Sequence, residues 1–410
     1  MTDFPRTNWS KSYSYQFRNC IRPTSIDELG AAVRAASKIK ALGSGHSFNA
    51  IADGDVAVVL NGIPLAPAIE DDGRRVSIAG HATYGDLARF LQGHGLAVHN
   101  LASLPHISIA GAIATATHGS GNQNGNLATA VCGLEFVTGN GEVVRVERTD
   151  PDFEGMVVHL GALGVVTRVT LDVQPAFQIR QNVYEGLSWT TLFENFDEIC
   201  AAGYSVSVFT GWGDEAGQVW VKAMAGEDVH AIRGTTPATV KRHPIIGLDP
   251  VNATDQLGEP GLWSDRLSHF RMGFMPSSGE EIQSEFHVPR RHATAALEAL
   301  VAIRRDFSHL ILAGEFRTVA ADRLWMSPQY QRDTLSIHFT WRREAAAVDQ
   351  AVARIEAALA PFEALPHWGK VFSERNLSEH YPMAPAFKKL RDRMDPEGKF
   401  RNEWLDRIVG

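Results

Sequence analysis

Side chains able to hold hydroxyl groups stand on two stretches of alternating pattern late in the chain. Glu315 and Arg317 are two residues apart in one stretch, and His338 and Thr340 are two residues apart in the other. Because residues two apart in a β-strand share a face, two adjacent strands would present all four side chains to one cavity. Such a set of donors and acceptors suits a polyol that must regain the hydrogen bonds it had in water. A solvated ion pair between Glu315 and Arg317 is the alternative interpretation.

A short glycine-rich loop follows a predicted strand at residues 43–47, with the sequence GSGHS. Two glycines around a serine let the backbone turn tightly and point N–H groups at an anion. The loop is not the dinucleotide fingerprint G-x-G-x-x-G, because Phe48 stands where the third glycine would be. It is not a P-loop either, since no Gly-Lys-Ser/Thr follows. A plain β-turn is the alternative interpretation.

Residues 103–121 (SLPHISIAGAIATATHGSG) are nearly free of bulky and charged side chains. A backbone with so little cover can lie against a large flat ligand and bond it through N–H groups and hydroxyls. The alternatives are a Gly/Ala-rich packing segment and a flexible loop. Ile107, Ile109 and Ile113, interleaved with the small residues, argue against simple flexibility.

These two segments together resemble the FAD-binding domain of the vanillyl-alcohol-oxidase-type flavoproteins. Residues 314–322 (GEFRTVAAD), 338–341 (HFTW) and 367–372 (HWGKVF) are similar to the aldonolactone-oxidase-like branch, and most closely to bacterial alditol oxidases. The likeness spans nearly the whole chain. It implies that FAD takes a hydride at N5 from C1 of alditols such as xylitol and sorbitol, giving the aldose, while O2 is reduced to H2O2.

The resemblance implies a covalent bond between His46 and the 8α-methyl of the flavin. A histidine on a glycine-containing turn can present a ring nitrogen as a nucleophile to that methyl. A His46 that only forms hydrogen bonds is the alternative. The residues that the family likeness assigns to FAD are Ala41, Leu42, Gly43, Ser44, Gly45, His46, Ser47, Ser103, Ser108, Gly111, Thr115, His118, Gly164, Val166 and His367.

Lys370 is the residue we expect to assist deprotonation of the C1 hydroxyl. A lysine beside a flavin and an arginine would have its pKa lowered by desolvation and by like charge. Glu315 is the rival for this role. A Lys370 that only donates a hydrogen bond to the hydroxyl and a Lys370 that is an ordinary surface lysine are the further alternatives. Catalysis is expected from Lys370, Glu315, Arg317 and Ser103. Substrate binding is expected from Ser103, Glu315, Arg317, His338, Thr340 and Lys370.

Hydrophobic periodicity predicts an α+β fold with two domains. We expect an FAD-binding domain over residues 1–175, then a substrate domain with a mainly antiparallel sheet flanked by helices over 176–365. A C-terminal segment, 366–410, is expected to return to the FAD domain, since His367 and Lys370 must reach the flavin. Helices are predicted after the capping pattern at Ser25 and over 84–93, 290–305, 344–360 and 384–394. Strands are predicted over 39–42, 56–60, 75–79, 134–138, 142–147, 163–173, 204–210, 218–223, 281–288, 310–319 and 334–341.

Charge and composition restrict the partners. The 410 residues include 39 Lys+Arg and 47 Asp+Glu, a formal charge of −8, so nucleic acid is not expected as a partner. No apolar run is long enough to span a bilayer, and the N-terminus lacks the apolar core of a signal peptide. Three widely spaced cysteines without C-x-x-C suit a reducing compartment. We therefore expect a cytoplasmic monomer that acts on a small polyol and O2.

Other classes of function fit less well. A sugar-1,4-lactone oxidase or dehydrogenase of the same fold is the nearest alternative, and differs in whether the cavity suits a ring or an open chain. A metal hydrolase is disfavoured, because the sixteen histidines offer no H-x-x-x-H or H-E-x-x-H spacing. We expect no metal site. A non-catalytic sugar-binding protein is a more remote alternative.

Overall fold

The structure, a computed structural model, describes residues 5–410 apart from residues 228, 230 and 274–280. Its strands are β1 Asn19–Ile21, β2 Ile39–Ala41, β3 Val56–Val58, β4 Ala68–Glu70, β5 Arg75–Ala79, β6 Leu96–Ala97, β7 Val131–Val137, β8 Val143–Glu147, β9 Val165–Asp172, β10 Gln174–Pro175, β11 Gln178–Leu187, β12 Ser205–Thr210, β13 Gly217–Met224, β14 Thr236–Pro237, β15 Gly261–Leu262, β16 Glu281–Pro289, β17 Ile311–Val319, β18 Thr334–Arg342 and β19 Leu365–Pro366. Its α-helices are α1 Ile26–Ala35, α2 Tyr84–Gly93, α3 Ile109–Ala114, α4 Phe153–Val157, α5 Trp189–Glu194, α6 Phe196–Cys200, α7 Trp263–Arg266, α8 Ala293–Ile303, α9 Ala345–Leu359, α10 Ala384–Met394 and α11 Glu403–Val409.

The first part of the chain builds three small sheets, and the smallest of them pairs β6 with β10. Strands β1, β3 and β2 form a parallel sheet, and β4, β5, β9, β7 and β8 form an antiparallel sheet in that order. Helix α1 begins at Ser25, whose hydroxyl accepts from the backbone N–H of Glu28, and α2 begins at a capping box of Thr83 and Asp86. Because β2 ends at Ala41, the parallel sheet fixes the start of the glycine-rich loop.

Strands after residue 175 form one large antiparallel sheet in the order β14, β11, β13, β12, β17, β18, β16, β19, with β15 beside β11. Side chains alternate between its two faces. One face is apolar and packs against α8 and α9. On this face Phe339 stacks between Trp212 and Trp341, with ring centroids 5.4 and 5.2 Å away. Each such aromatic pair contributes roughly 0.5–1.5 kcal/mol beyond its buried area, so these stacks stabilise the apolar face of the sheet.

Residues 367–370 connect the large sheet to the glycine-rich loop. Strand β19 pairs with the edge of β16, and the backbone N–H of His367 then donates to the carbonyl of Glu285 at 2.9 Å. The backbone N–H of Phe48 donates to the carbonyl of Gly369 at 2.7 Å. Lys370, the next residue, is therefore held between the polar face of the sheet and the loop.

The end of the chain packs on its first part. The backbone N–H of Ile39 donates to the carbonyl of Lys399 at 2.9 Å. The side-chain amide of Asn402 donates to the carbonyls of Ala50 and Asp53, each at 2.8 Å. These contacts surround β2 and the 3₁₀ turn that follows the glycine-rich loop. The domain limits at 175 and 365 stay predictions. Of the helices in the described part of the chain, none has the length and apolar character that a bilayer crossing requires.

Candidate active site

A cavity of about 1740 Å³, its open mouth included, lies between the glycine-rich loop and the polar face of the large sheet. It brings together every residue that we expected to bind substrate, namely Ser103, Glu315, Arg317, His338, Thr340 and Lys370. It is also lined by most of the residues expected on FAD, namely Ala41, Leu42, Gly43, Ser44, Gly45, His46, Ser47, Ser103, Ser108, Gly111, Thr115, His118 and His367. Two segments distant in sequence and two strands of the sheet therefore face one space.

Gly164 and Val166 are the exceptions, because neither lines this cavity. A Cβ on Gly164 would lie 2.8 Å from the carbonyl of Val137, so its backbone packs closely on β7. A Cβ on Gly80 would likewise lie 2.7 Å from the carbonyl oxygen of Val166. Gly164 and Val166 thus pack against strands of the five-stranded antiparallel sheet and not against the cavity. The earlier part of the same turn, residues 160–161, lines the cavity in their place.

The glycine-rich loop is fastened to the start of α3 by a pair of serines. The hydroxyl of Ser44 accepts from the backbone N–H of Ser108 at 2.9 Å. In return, the hydroxyl of Ser108 accepts from the backbone N–H of Ser44 at 3.4 Å. A Cβ on Gly43 would lie 2.3 Å from the hydroxyl oxygen of Ser108, so a side chain there is incompatible with this contact. Gly45 has φ +69°, in the region that favours glycine. The loop therefore exposes bare backbone to the cavity, as a large cofactor requires.

His46 lies within this loop, with its imidazole ring packed against Trp9. Both of its ring nitrogens are buried, and neither has a hydrogen-bond partner among the described residues. Trp9 stacks on the imidazole with ring centroids 5.2 Å apart and an interplanar angle of 24°. Burial lowers the pKa of His46 to about 4, so the ring is neutral near pH 7 and keeps a free lone pair. An unpartnered neutral imidazole fits a covalent bond to the flavin methyl.

The polar face of the sheet places its cavity residues in one row across four strands. Phe209 on β12 pairs with Glu315 on β17, Glu315 with His338 on β18, and His338 with Glu285 on β16. In the neighbouring row Arg317 lies opposite Ser336. Cross-strand neighbours have Cβ atoms roughly 5 Å apart, so these side chains contact each other directly. Register therefore assembles the site.

Within this row, the carboxylate of Glu285 accepts hydrogen bonds from four side chains. Its Oε1 accepts from Arg317 Nη2 at 3.1 Å, from His118 Nε2 at 3.1 Å and from the hydroxyl of Ser336. Its Oε2 accepts from the ammonium of Lys370. Burial acts to raise the pKa of Glu285, but the charges of Lys370 and His118 outweigh it and hold that pKa well below its usual range. Glu285 is therefore a carboxylate anion.

Lys370 lies between Glu285 and His338. Its Nζ is 2.8 Å from His338 Nδ1, and His338 Nε2 is 3.0 Å from the hydroxyl of Thr340. Burial lowers the pKa of Lys370, Glu285 acts to raise it, and Arg317 lowers it further, with a net shift downward. Burial and the Lys370 charge lower the pKa of His338 to about 4. A lysine with a lowered pKa beside a neutral histidine suits proton acceptance.

Glu315 is fixed by a second chain of buried groups. Its Oε1 accepts from His269 Nε2 at 2.9 Å, and Arg317 Nε is 3.4 Å away. The other ring nitrogen of His269 faces Lys222 Nζ at 3.4 Å. Burial acts to raise the pKa of Glu315, but Arg317 and His269 outweigh it and lower that pKa far below its usual range. Ser103 completes the cluster, since its hydroxyl accepts from Arg317 Nη1 at 3.2 Å.

Glu285, His269 and Lys222 are site residues that the sequence prediction missed. The signal for Glu285 was present, because a strand was predicted over 281–288, and its period of two puts Glu285 on the face of Glu281 and Gln283. No such pattern surrounds His269, which precedes β16 in an irregular stretch. Lys222 stands in the predicted strand 218–223, but its contact with His269 depends on folding.

His118, Glu285 and His287 offer three potential metal-ligand atoms within 4.8 Å of one another. The carboxylate oxygens of Glu285 already face Lys370 and Arg317. A divalent cation added beside two fixed cations would be repelled at short range in a buried site. This trio therefore fits a hydrogen-bonded cluster better than a metal centre.

The chain is similar to known flavin-dependent enzymes along nearly its whole length. Residues 18–147 match the family described as FAD binding domain, and residues 274–408 match the family described as D-arabinono-1,4-lactone oxidase. The alditol oxidase of a Streptomyces sp. is 44% identical over 406 residues, 97% of each chain. The L-gulono-1,4-lactone dehydrogenase of Mycobacterium tuberculosis is 28% identical, over 98% of this chain and 99% of its own. The crystal structure of cholesterol oxidase from B. sterolicum has a TM-score of 0.77 at 15% identity, covering 100% of this chain and 99% of that one. The predicted fold, an FAD-binding domain with a second, mainly antiparallel domain, is confirmed by this likeness.

Proposed function

The chain belongs to the alditol oxidase family of FAD-dependent oxidoreductases, and on that premise we propose that it oxidises the terminal C1 hydroxyl of open-chain polyols such as xylitol and sorbitol to the aldose. When bound, FAD supplies the electron acceptor for this oxidation, and O2 reoxidises it with formation of H2O2. The observation that carries the proposal is the row of Glu315, His338 and Glu285 beside Arg317 and Lys370, which faces the same cavity as the unpartnered His46.

The polar row suits several hydroxyl groups at once. Glu315 keeps Oε2 as an acceptor, since its hydrogen bond from His269 goes to Oε1. Arg317 and Ser103 offer a donor and a hydroxyl side by side. Thr340 lies one pleat away, beside His338. A polyol that enters this space exchanges its bonds to water for bonds to fixed charged groups, which are about twice as strong as neutral ones.

Lys370 is the better candidate to accept the proton of the C1 hydroxyl. A carboxylate with a pKa as low as that of Glu315 is a weak base, because Arg317 and His269 stabilise its anion. Lys370 has the opposite tendency, since burial and Arg317 favour its neutral amine. In this assignment Lys370 takes up the proton, while Glu315 and Arg317 bind and orient the remaining hydroxyls.

We also propose that His46 carries the flavin covalently. The observations in support are its two unpartnered ring nitrogens, its neutral state and its stacking on Trp9. Residues of the 43–47 loop and Ser108, Gly111, Thr115, His118 and His367 line the same cavity and are the proposed contacts of FAD. The enzyme is further proposed to be a cytoplasmic monomer, with Cys20, Cys132 and Cys200 as buried free thiols.

Anaerobic mixing of the yellow holoenzyme with substrates tests the proposed reaction directly. Xylitol and sorbitol are expected to bleach the oxidised flavin absorbance within seconds, and L-gulono-1,4-lactone much more slowly. The lactone serves as the comparison because relatives of the chain are named for it. Bleaching by the lactone alone would contradict the polyol assignment. A protein that binds no FAD would contradict the proposed function entirely.

A further inference from the structure

Glu285 is buried at the centre of the polar face, and the family motifs quoted above do not contain it. Its side chain is 1% exposed. It accepts hydrogen bonds from Arg317, His118 and Ser336 on one oxygen and from Lys370 on the other. Removal of this carboxylate would leave a buried guanidinium and a buried ammonium without their shared counter-charge, which is strongly unfavourable.

Lys370 faces charged or titratable groups from each element packed around it. Glu285 on β16 and Glu315 on β17 oppose its charge, whereas Arg317 on β17 repels it. His338 on β18 lies in hydrogen-bond contact with its Nζ. The other histidines of this cluster are His118, His287 and His367. Of the two carboxylates Glu285 and Glu315, Glu285 is in direct contact with the ammonium.

We propose that Glu285 is the positioning residue of the site, which holds Lys370 and Arg317 on one carboxylate and sets the pH at which Lys370 accepts a proton from the substrate. The inference rests on the proposed function, in which Lys370 is that acceptor. In the step, the O–H bond of the C1 hydroxyl breaks and a new N–H bond forms on the neutral amine of Lys370. The C1–H bond breaks with its electron pair going to the acceptor that FAD supplies. The new ammonium then lies against the Glu285 carboxylate.

The sign of the effect follows from the charges. Burial and Arg317 favour the neutral amine of Lys370, and Glu285 favours its ammonium form. Glu285→Gln removes the negative charge and keeps the shape of the side chain. An opposite charge at contact distance shifts a pKa by roughly one to three units. The rate of substrate oxidation falls on the acidic side of its pH profile as Lys370 becomes protonated. This acid limb of the profile is therefore expected to move to lower pH by roughly one to three units.

Ser336→Ala provides a second, milder variant with the opposite sign. The hydroxyl of Ser336 donates to Glu285 Oε1 and disperses part of its charge. Without that donor the carboxylate holds the Lys370 ammonium more tightly. The acid limb is expected to move to higher pH by less than about one unit. This variant keeps the proposal testable if Glu285→Gln fails to fold.

The experiment measures the rate of anaerobic flavin reduction by xylitol in the holoenzyme between about pH 5 and about pH 10. Wild type, Glu285→Gln, Ser336→Ala and Lys370→Met are compared, with melting temperature and flavin content recorded for each. Glu135→Gln is the matched control, because Glu135 is a buried glutamate that pairs with Arg145 in the five-stranded sheet, away from the cavity. Its acid limb is expected to coincide with that of wild type.

The proposal is supported if the acid limb moves to lower pH in Glu285→Gln or to higher pH in Ser336→Ala. In either case the acid limb must be absent from the profile of Lys370→Met. If the limb disappears in Lys370→Met but stays in place in both other variants, the role of Glu285 is overturned and the proposed function stands. If Lys370→Met keeps the wild-type rate and limb, then Lys370 is not the proton acceptor. Both the base assignment and the role of Glu285 then fall.

Discussion

Glu285 and Lys370 form a buried ion pair across 85 residues of chain. The pair exists because β19 pairs with the edge of β16, which brings residues 367–370 across the polar face of the large sheet. The same segment accepts a backbone hydrogen bond from Phe48, the residue that follows the loop containing His46. One short connection thus links the proposed cofactor loop, the proposed base and the substrate row.

Replacement of His46 is expected to leave the flavin bound in the native protein, but only non-covalently. In His46→Ala the covalent bond cannot form, whereas the loop and α3 still offer their contacts. Acid precipitation of the variant is expected to leave the yellow colour in the supernatant, and that of wild type in the pellet. His94→Ala is the control, since His94 is an exposed histidine at the end of α2 and does not line the cavity. Colour retained in the His46→Ala pellet would refute the linkage.

A side chain at position 43 is expected to reduce the flavin content. The Cβ of Gly43→Ala would lie 2.3 Å from the hydroxyl oxygen of Ser108 and 3.2 Å from its Cβ. Ser108→Ala removes the closer atom, so the double variant is expected to recover part of the flavin. The flavin-to-protein absorbance ratio of the purified proteins measures this. Gly93→Ala is the control, because its added Cβ would meet nothing within 4 Å. Full loading of Gly43→Ala would show that the loop tolerates the displacement.

Loss of charge at Glu315 is expected to weaken polyol binding. Glu315→Gln replaces a carboxylate by an amide opposite the His269 donor and beside Arg317. A hydrogen bond to a charged group contributes roughly 1.5–3 kcal/mol, so the KM for xylitol is expected to rise about 10- to 100-fold. Steady-state kinetics with Glu135→Gln as the control measures the change. A rise of less than about twofold would mean that Glu315 does not bind the substrate.

The buried charge of Lys222 is expected to make stability depend on pH. Burial lowers the pKa of Lys222 to about 7, whereas an unfolded lysine titrates near 10.4. Between these values the unfolded chain binds more protons, so stability rises with pH. Relative to Lys222→Met, wild type should gain up to about 4 kcal/mol of unfolding free energy from pH 7 to pH 10. Urea unfolding at several pH values tests this, and equal slopes for both proteins would contradict it.

Local patterns predicted many elements closely. Strand β5 and helices α2 and α10 have the predicted bounds. Alternation marks β5, a capping box marks the start of α2, and Pro385 in the first turn marks the start of α10. Strand β11 was missed, since buried Gln181 interrupts its apolar alternation and its register shifts after Tyr184. Helix α3 was missed because its six residues, IAGAIA, are too short and too small to show a periodic face.

The candidate site, like the fold, could be predicted from the sequence only in part. Glu315, Arg317, His338 and Thr340 could be grouped from their spacing, since a strand converts a separation of two into a common face. The buried chain from Lys222 through His269 to Glu315 could not, because its members come from a strand, an irregular stretch and another strand. Such contacts depend on how distant segments pack, which no local period records.

Oxygen consumption by the purified holoenzyme with xylitol tests the central claim most directly. We expect one O2 to be consumed and one H2O2 to be formed for each xylitol converted to its aldose, and we expect this turnover to fall at least about 100-fold in Lys370→Met. A yellow holoenzyme that consumes no oxygen with xylitol or sorbitol, yet turns over a sugar lactone, would contradict the assignment of a polyol oxidase.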